Sequence, residues 1–414
     1  MIKLLEGIRV VECAVLPTGD HTGRLLGDLG ADVIKIEQPG VGDYLRDLGG
    51  MLGEHQSALH LYCNRNKRSV TLNLRSEEGR KVFFELLRTA DVFVDGFADD
   101  ACEQLGIGYE EQRKVKPDII YCQTNGFGAQ GPYSPIPVHG YMMGAVAGAV
   151  TLQEDEEGIV REVPPPDGLY FAGVLDGPLM GAMFGAMTAL AALQQRNRTG
   201  EGAYIDGAGA DSIVAAQATD SVLLWNRNRI DKPENDAPPT STHPRQRPKY
   251  TFYKTKDDKY VMLGAIEHKF WDNFCRGIGR DDLRGVKDES VMVDFQIQEG
   301  GRTDLIDELR VIFASRTQAE WVDLAVTYDV PLSPANQRGD LLDDAHLRAR
   351  EIIHESVHPQ AGPYTSPGWP APVAGQPYDI ARPAPNLGEH SAEILGELGY
   401  SEADVEGLRH RGLV

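Results

Sequence analysis

Asp176 stands immediately before an uncharged run, residues 177–193, in which Gly177, Gly181, Gly185 and Ala189 recur every four positions. A carboxylate at the entrance of a buried helix can serve as a nucleophile or a base. The plainer reading makes Asp176 an N-cap that satisfies the first backbone N–H groups. His139, which follows Pro132, Pro135 and Pro137 and precedes another small-residue run, is a base candidate with the same ambiguity. Two familiar patterns carry less weight. Gly126-Phe-Gly-Ala-Gln-Gly131 matches GxGxxG, but the prolines behind it prevent the helix that a dinucleotide pyrophosphate needs. His354-Glu-Ser-Val-His358 matches HExxH, but Pro359 and Gly362 end any helix that would bring both imidazoles to one zinc. Positive charge gathers in two islands, Arg65, Lys67 and Arg68 before a strand and Arg245-Gln-Arg-Pro-Lys249 further on. Each could dock phosphates or be a solvated loop.

The elements that must position these residues follow from periodicity. Residues 8–13, 32–37, 69–74, 91–95 and 118–123 read as short β-branched strands, with helices over 21–29 and 76–87. Such alternation predicts an α/β protein, a parallel sheet with helices packed against it. Helices are expected over 140–150, 177–196 and 208–225. The polar, Pro-rich stretch 227–248 breaks the composition and marks a domain boundary. Beyond it, strands at 250–253 and 260–263 and helices near 267–278, 302–313 and 318–327 make a smaller α+β unit. The reading is therefore a large domain over 1–226, a linker and small domain over 227–334, and a return to the large domain over 335–414, with final helices at 391–398 and 402–408.

Composition limits the function. The 414 residues are 41% hydrophobic and 25% charged, ordinary for a folded chain of two or three domains of roughly 150 residues. With 62 acidic against 41 basic residues the net charge is −21, which argues against nucleic-acid binding. The five cysteines have no CxxC spacing, so reduced thiols and a cytoplasmic location are expected. No signal peptide is expected at the start. The run 177–193 is short for a membrane span and reads as a buried helix.

The ordered set of local patterns resembles class III CoA-transferases. It comprises Gly30-Ala-Asp-Val-Ile-Lys-Ile-Glu-Gln-Pro-Gly40 with Gly42-Asp43, Asn66-Lys-Arg-Ser69, Ala90-Asp-Val92, Gly126-Phe-Gly128 with Gly131-Pro132, Ala191-Ala-Leu193, Thr199-Gly200, and Leu387-Gly-Glu-His390. The resemblance implies a Rossmann-like large domain, a small domain reached through long linkers, and an interlocked homodimer. It implies acyl-CoA and carboxylic acid substrates, the coenzyme A thioester being a substrate and no cofactor permanently bound. Asp176 then matches the nucleophile that takes the acyl group from the donor thioester, although it stands about two residues upstream of the usual count from Thr199-Gly200. Lys35, Arg65, Lys67, Arg68, Gly126 and Gly128 become the expected CoA-binding residues.

The same superfamily contains α-methylacyl-CoA racemases, and two features resemble that branch. His139 falls at the racemase histidine, and Gly264-Ala-Ile-Glu267 with Phe270 resembles a racemase segment, which adds Glu267 to the catalytic candidates. His139 and Asp176 would then form a two-base pair. Against this, Gly140 replaces the aspartate usual in racemases, and the chain length suits transferases. Glu103-Gln104 stands where many relatives carry an arginine near the CoA phosphates, and Phe97-Ala-Asp-Asp100 replaces the usual Pro-Gly. That departure keeps open a third possibility, a non-catalytic partner subunit of a heteromeric transferase.

Overall fold

The computed structural model describes residues 2–97, 100–150, 152–162, 175–226, 228–229, 247–284 and 304–414. Most of the Pro-rich boundary, Arg245 and Gln246 of the second basic island, Ala98 and Asp99, residues 163–167 of the polar stretch before Asp176, and the start of the helix expected from 302 lie outside the described residues. The chain packs as two units, 1–226 together with 350–414, and 227–349.

The larger unit is built on six parallel strands: β1 (Arg9–Ala14), β2 (Asp32–Glu37), β3 (Lys67–Thr71), β4 (Val92–Gly96), β5 (Ile120–Asn125) and β6 (Ala203–Ala208), in the order β6-β5-β4-β1-β2-β3. This is the doubly wound order, in which chain direction reverses across the sheet between β1 and β4. Alternate residues point to opposite faces. Val11, Ile34, Phe93 and Tyr121 enter one core with α2 (Glu77–Leu87) and the C-terminal helices, whereas Val10, Val33, Val92 and Ile120 enter the other with α1 (Pro17–Asp28). β3 begins two residues earlier than its apolar pattern suggests. Lys67 and Arg68 lie within it and are buried, Lys67 against the buried Glu12 and Arg68 against the partly exposed Asp32, Glu393 and Glu397.

A short α3 (Tyr109–Val115) precedes β5, and α4 (Gly140–Val146) follows it, shorter than expected because the chain turns at Ala147–Ala149. The apolar run forms α5 (Asp176–Thr199), closed by Gly200 in the left-handed region at φ 74°. By length and composition α5 could cross a membrane, yet its buried stripe of Gly177, Gly181, Gly185 and Ala189 seats it within the core. A Cβ on Gly185 would lie 2.7 Å from Thr124 Cγ2, and one on Gly181 3.2 Å from the Gly209 backbone. The expected helix over 208–225 is interrupted at Gln217, giving α6 (Gly209–Ala216) and α7 (Ala218–Trp225).

The smaller unit has an antiparallel sheet of β7 (Tyr250–Lys254), β8 (Tyr260–Gly264) and β9 (Leu332–Pro334) with helices α8 (His268–Ile278), α9 (Leu305–Phe313) and α10 (Gln318–Tyr328). Its core is a stack of Tyr253, Phe274, Phe313 and Trp321. A capping box of Thr317 and Glu320 starts α10.

The returning segment seals the larger unit. After the hairpin of β10 (Ile353–His358) and β11 (Gly362–Pro367), the chain runs along the outer edge of β3 into α11 (Ser391–Glu397) and α12 (Glu402–His410). His390 N donates to Ser69 O, Thr71 N donates to Ser391 Oγ, and Arg68 pairs with Glu393 and Glu397. The edge strand is thereby covered.

Two consequences can be measured. Gly185→Ala should lower stability, since overpacking costs about 1–3 kcal/mol against roughly 1 kcal/mol of improved helix propensity. Gly396→Ala, with nothing within 4 Å of the new methyl, should gain about 0.4–1 kcal/mol. Denaturant unfolding giving the same sign for both would refute the close-packing account of α5. Separately, burial pushes the Asp95 carboxyl up to about 6, although it accepts from Tyr121 Oη at 2.6 Å and Phe97 N at 3.0 Å. The folded state therefore holds this proton more tightly than the unfolded chain. The stability it contributes is complete below pH ~4 and is lost as pH rises towards 6, about 3 kcal/mol in all. Asp95→Asn should flatten that slope in thermal melts taken from pH 4 to 7.

Candidate active site

Three helix starts converge on a small apolar platform. Met143 of α4, Ala210 and Ile213 of α6, and Met180 of α5 pack together with Phe127 and Val138. Gly177, the second residue of α5, has no room for a side chain: a Cβ there would lie 2.7 Å from Met143 Cβ and Sδ. Gly209, which opens α6, is equally tight, with Met143 Sδ at 2.5 Å and the Gly177 carbonyl oxygen at 3.0 Å from an added Cβ. Glycines at these two helix starts let the backbones meet.

Asp176 is the first helical residue of α5 and is exposed. It is not the N-cap. Leu175 holds that position, at φ −94° and ψ −5°, with no side-chain cap. The Asp176 carboxylate is thus not committed as a cap, and it sits in the first turn, where unpaired backbone N–H groups favour negative charge. His139 is the N-cap residue of α4, extended at φ −126° and ψ 163°, and it too is exposed. The platform therefore carries one accessible carboxylate and one accessible imidazole at the heads of two packed helices. Such a pair can supply a nucleophile and a proton carrier.

No helix opens directly behind the Gly126–Gly131 turn, in keeping with the prolines there. Gly126 is buried against Val138, and Gly128 lies at φ 81°. The first strand–helix junction is tightly packed. An added Cβ on Gly19 would meet Ala14 Cβ at 2.5 Å and Gly96 Cα at 2.8 Å, so α1 packs directly onto the ends of β1 and β4. Glu37, which ends β2 where a ribose would be read, is held by Arg46 and Ser69. Burial alone would raise its carboxyl, but these hydrogen bonds hold it down at about 2.

Lys35, Arg65, Lys67 and Arg68, the cations expected to dock phosphates, are buried and paired with carboxylates. All four are at most 3% exposed. Lys35 is paired with Asp20, Asp43 and Glu12. Lys67 Nζ lies 2.8 Å from both Glu12 carboxylate oxygens and 2.9 Å from Asn64 Oδ1. Arg65 bonds Asp28 and the Pro367 carbonyl between the Tyr62 and Tyr378 rings, and Arg68 bonds Asp32 and Glu397. The physical reason is the acidic composition itself, which supplies enough interior carboxylates to absorb these cations. Gln104, where an arginine was expected, bonds Asp100 at 2.5 Å.

Glu267 lies in the smaller unit, at the N-cap position of α8 without a side-chain cap bond. The HExxH residues lie on β10, as the flanking Ile352–Ile353 suggested. His354 and His358 are therefore roughly 13 Å apart along a strand. His358 Nε2 bonds the Ala384 carbonyl, and no cluster of metal-ligating residues occurs among the described residues. Sequence reasoning missed the Met143 seat beneath Gly177, because a methionine in a small-residue run carries no periodic signal. It also missed Arg75, which is exposed in the loop that leaves the carboxyl end of β3 and makes no side-chain ion pair among the described residues.

A doubly wound sheet bearing an exposed carboxylate and imidazole at adjoining helix starts suits acyl-group chemistry. The chain belongs to CoA-transferase family III, whose model matches residues 5–391. It is 30% identical over 416 residues to mouse (Mus musculus) succinyl-CoA:glutarate CoA-transferase, covering 100% of this chain and 91% of that protein. It is 29% identical over 419 residues to the Chloroflexus aurantiacus succinyl-CoA–L-malate CoA-transferase beta subunit, covering 99% and 98% of the two. A CaiB/BaiF family protein from Brucella suis superposes with TM-score 0.71 at 26% identity over 96% of this chain and 100% of that one.

If the buried cations are framework, Lys67→Met should cost about 3–5 kcal/mol, since it strands Glu12 in the interior. Thermal melting and CoA titration separate the two roles. A variant with unchanged melting temperature and weakened CoA binding would restore Lys67 as a phosphate ligand.

Proposed function

We infer that this protein transfers CoA between an acyl-CoA thioester and a carboxylic acid, with Asp176 as the nucleophile. The observation that carries the reading is the exposed Asp176 carboxylate, uncommitted as a cap, at the head of a helix seated on Met143. Its oxygen attacks the thioester carbonyl and expels CoA thiolate, leaving an acyl–aspartyl anhydride. The thiolate attacks the aspartyl carbonyl, releasing the donor acid and forming an aspartyl–CoA thioester. The acceptor carboxylate then attacks that thioester, the thiolate leaves again, and its return to the new acyl carbonyl regenerates Asp176. Backbone N–H groups at the helix starts are the available partners for oxyanions.

Both named relatives have succinyl-CoA in their names, so succinyl-CoA with a short dicarboxylic acid is the substrate pair of choice. CoA phosphates need exposed cations, and Arg75 on the carboxyl side of the sheet is placed to meet one. Exposed apolar residues on α5 and α7, among them Met183 at 58% and Trp225 at 73%, fit an interlocked homodimer. Five free thiols suit the cytoplasm.

His139, exposed at the head of α4 beside α5, favours a second reading, 2-methylacyl-CoA racemisation, in which it and Asp176 exchange the α-proton from opposite faces. One experiment separates the two. Succinyl-CoA plus an acceptor acid, quenched with hydroxylamine, should yield a hydroxamate at Asp176 and a new acyl-CoA, both abolished in Asp176→Ala. α-Deuterium incorporation into a branched acyl-CoA in deuterated water without any acceptor, lost in His139→Ala, would overturn transfer in favour of racemisation. Full activity in Asp176→Ala would sink both.

A further inference from the structure

The reading of Asp176 as nucleophile leaves open what holds the platform beneath it. One carboxylate outside the site reaches into that platform. Asp206, exposed on β6, accepts a hydrogen bond from Ala129 N through Oδ1 at 2.7 Å. Its partner lies in the Gly126–Gly131 turn, 77 residues earlier in sequence. Asn125 Oδ1 accepts from Gly128 N at 2.5 Å, and Ala210 N donates to Gly126 O at 3.0 Å. The turn is thus tied at its first residue to the start of α6 and at its middle to β6.

What the turn carries gives the tie its meaning. An added Cβ on Gly126 would lie 2.2 Å from Val138 Cγ1, so the turn rests on the residue immediately before His139. Phe127 from the same turn packs into the cluster of Met143, Ala210 and Ile213. Met143 in turn bears on Gly177, next to Asp176. Every link is a van der Waals contact or a single hydrogen bond. The segment between turn and α4 is Pro-rich, which restricts its backbone freedom.

We propose that Asp206 is a positioning residue: by holding the Ala129 amide it fixes the turn that seats Val138 and Phe127, and through them the heads of α4 and α5. The role needs an acceptor oxygen, not a charge. Asn at this position keeps the acceptor and Ala removes it. A misplaced reacting group costs turnover far more than ground-state binding. A merely stabilising hydrogen bond would instead change melting temperature and leave the kinetic constants alone.

The test compares Asp206→Ala and Asp206→Asn with the wild-type chain, using succinyl-CoA and a dicarboxylic acceptor, with amide hydrogen exchange measured over residues 126–138. Asp206→Ala should lower kcat about 10- to 100-fold, with KM for the thioester within about threefold and melting temperature within about 2 °C. Exchange in the turn should accelerate. Asp206→Asn should recover kcat to within about threefold and restore slow exchange. Unchanged kcat in Asp206→Ala overturns the proposal, as does an equal loss in both variants or unaltered exchange in the turn. Asp176→Ala, run alongside, isolates the underlying reading: its retained turnover would refute the nucleophile, while the exchange comparison still decides whether Asp206 holds the turn.

Discussion

Close backbone approach along one face of α5 is the constraint on which the larger unit depends. Gly177, Gly181 and Gly185 meet Met143, the Gly209 backbone and Thr124 in succession, and no larger residue fits at these distances. Because the helix lies this low, its first residue emerges at the point where α4 and α6 also begin. The candidate nucleophile is therefore placed by packing, its carboxylate having no polar bond of its own among the described residues. A side chain held this way stays chemically uncommitted.

Charge follows a complementary logic. The chain is strongly acidic, yet its interior is rich in cations. Lys35, Lys67, Arg46, Arg24 and Arg65 are all buried and all met by Asp or Glu. They tie β1, β2 and β3 to α1 and to the segments that follow them. His60, which bonds Arg46 and Asn64, is kept neutral because burial and the Arg46 charge depress its basicity to about 3. The fold has the Rossmann-like framework with a network of buried ion pairs beside its first three strands.

Much of this was legible from the sequence. Apolar alternation located five of the six parallel strands within a few residues, and the four-residue glycine spacing identified the tight face of α5. As the prolines predicted, no helix opens directly behind Gly131, and the HExxH residues lie on a strand instead of a helix. The burial of the cations was not legible because a run such as Arg65–Arg68 looks the same whether it faces water or the fold, and its carboxylate partners come from Glu12, Asp28, Asp32 and Glu397, distant in sequence. Local sequence left Asp176 open between an N-cap and a reactive carboxylate, because capping depends on where the first helical turn begins, which sequence leaves uncertain by a residue; the helix starts one residue earlier than a cap at Asp176 would need. The sixth strand, β6, reads as a turn and the start of a helix, since Gly202, Gly207 and Gly209 obscure its alternation.

The sealing of β3 by the chain's last segment sets an order of events during synthesis. When residue 226 leaves the ribosome the sheet strands are all present, but Arg68 lacks Glu393 and Glu397, Arg65 lacks the Pro367 carbonyl, and the outer edge of β3 lacks His390 and Ser391. An unpaired edge carrying half-compensated buried charge cannot reach its final state at that stage. The smaller unit, 227–349, has a core of its own and can fold in the interval. Completion of the larger unit thus waits for the C-terminus, so a chain truncated anywhere before α11 would expose its β3 edge to other chains.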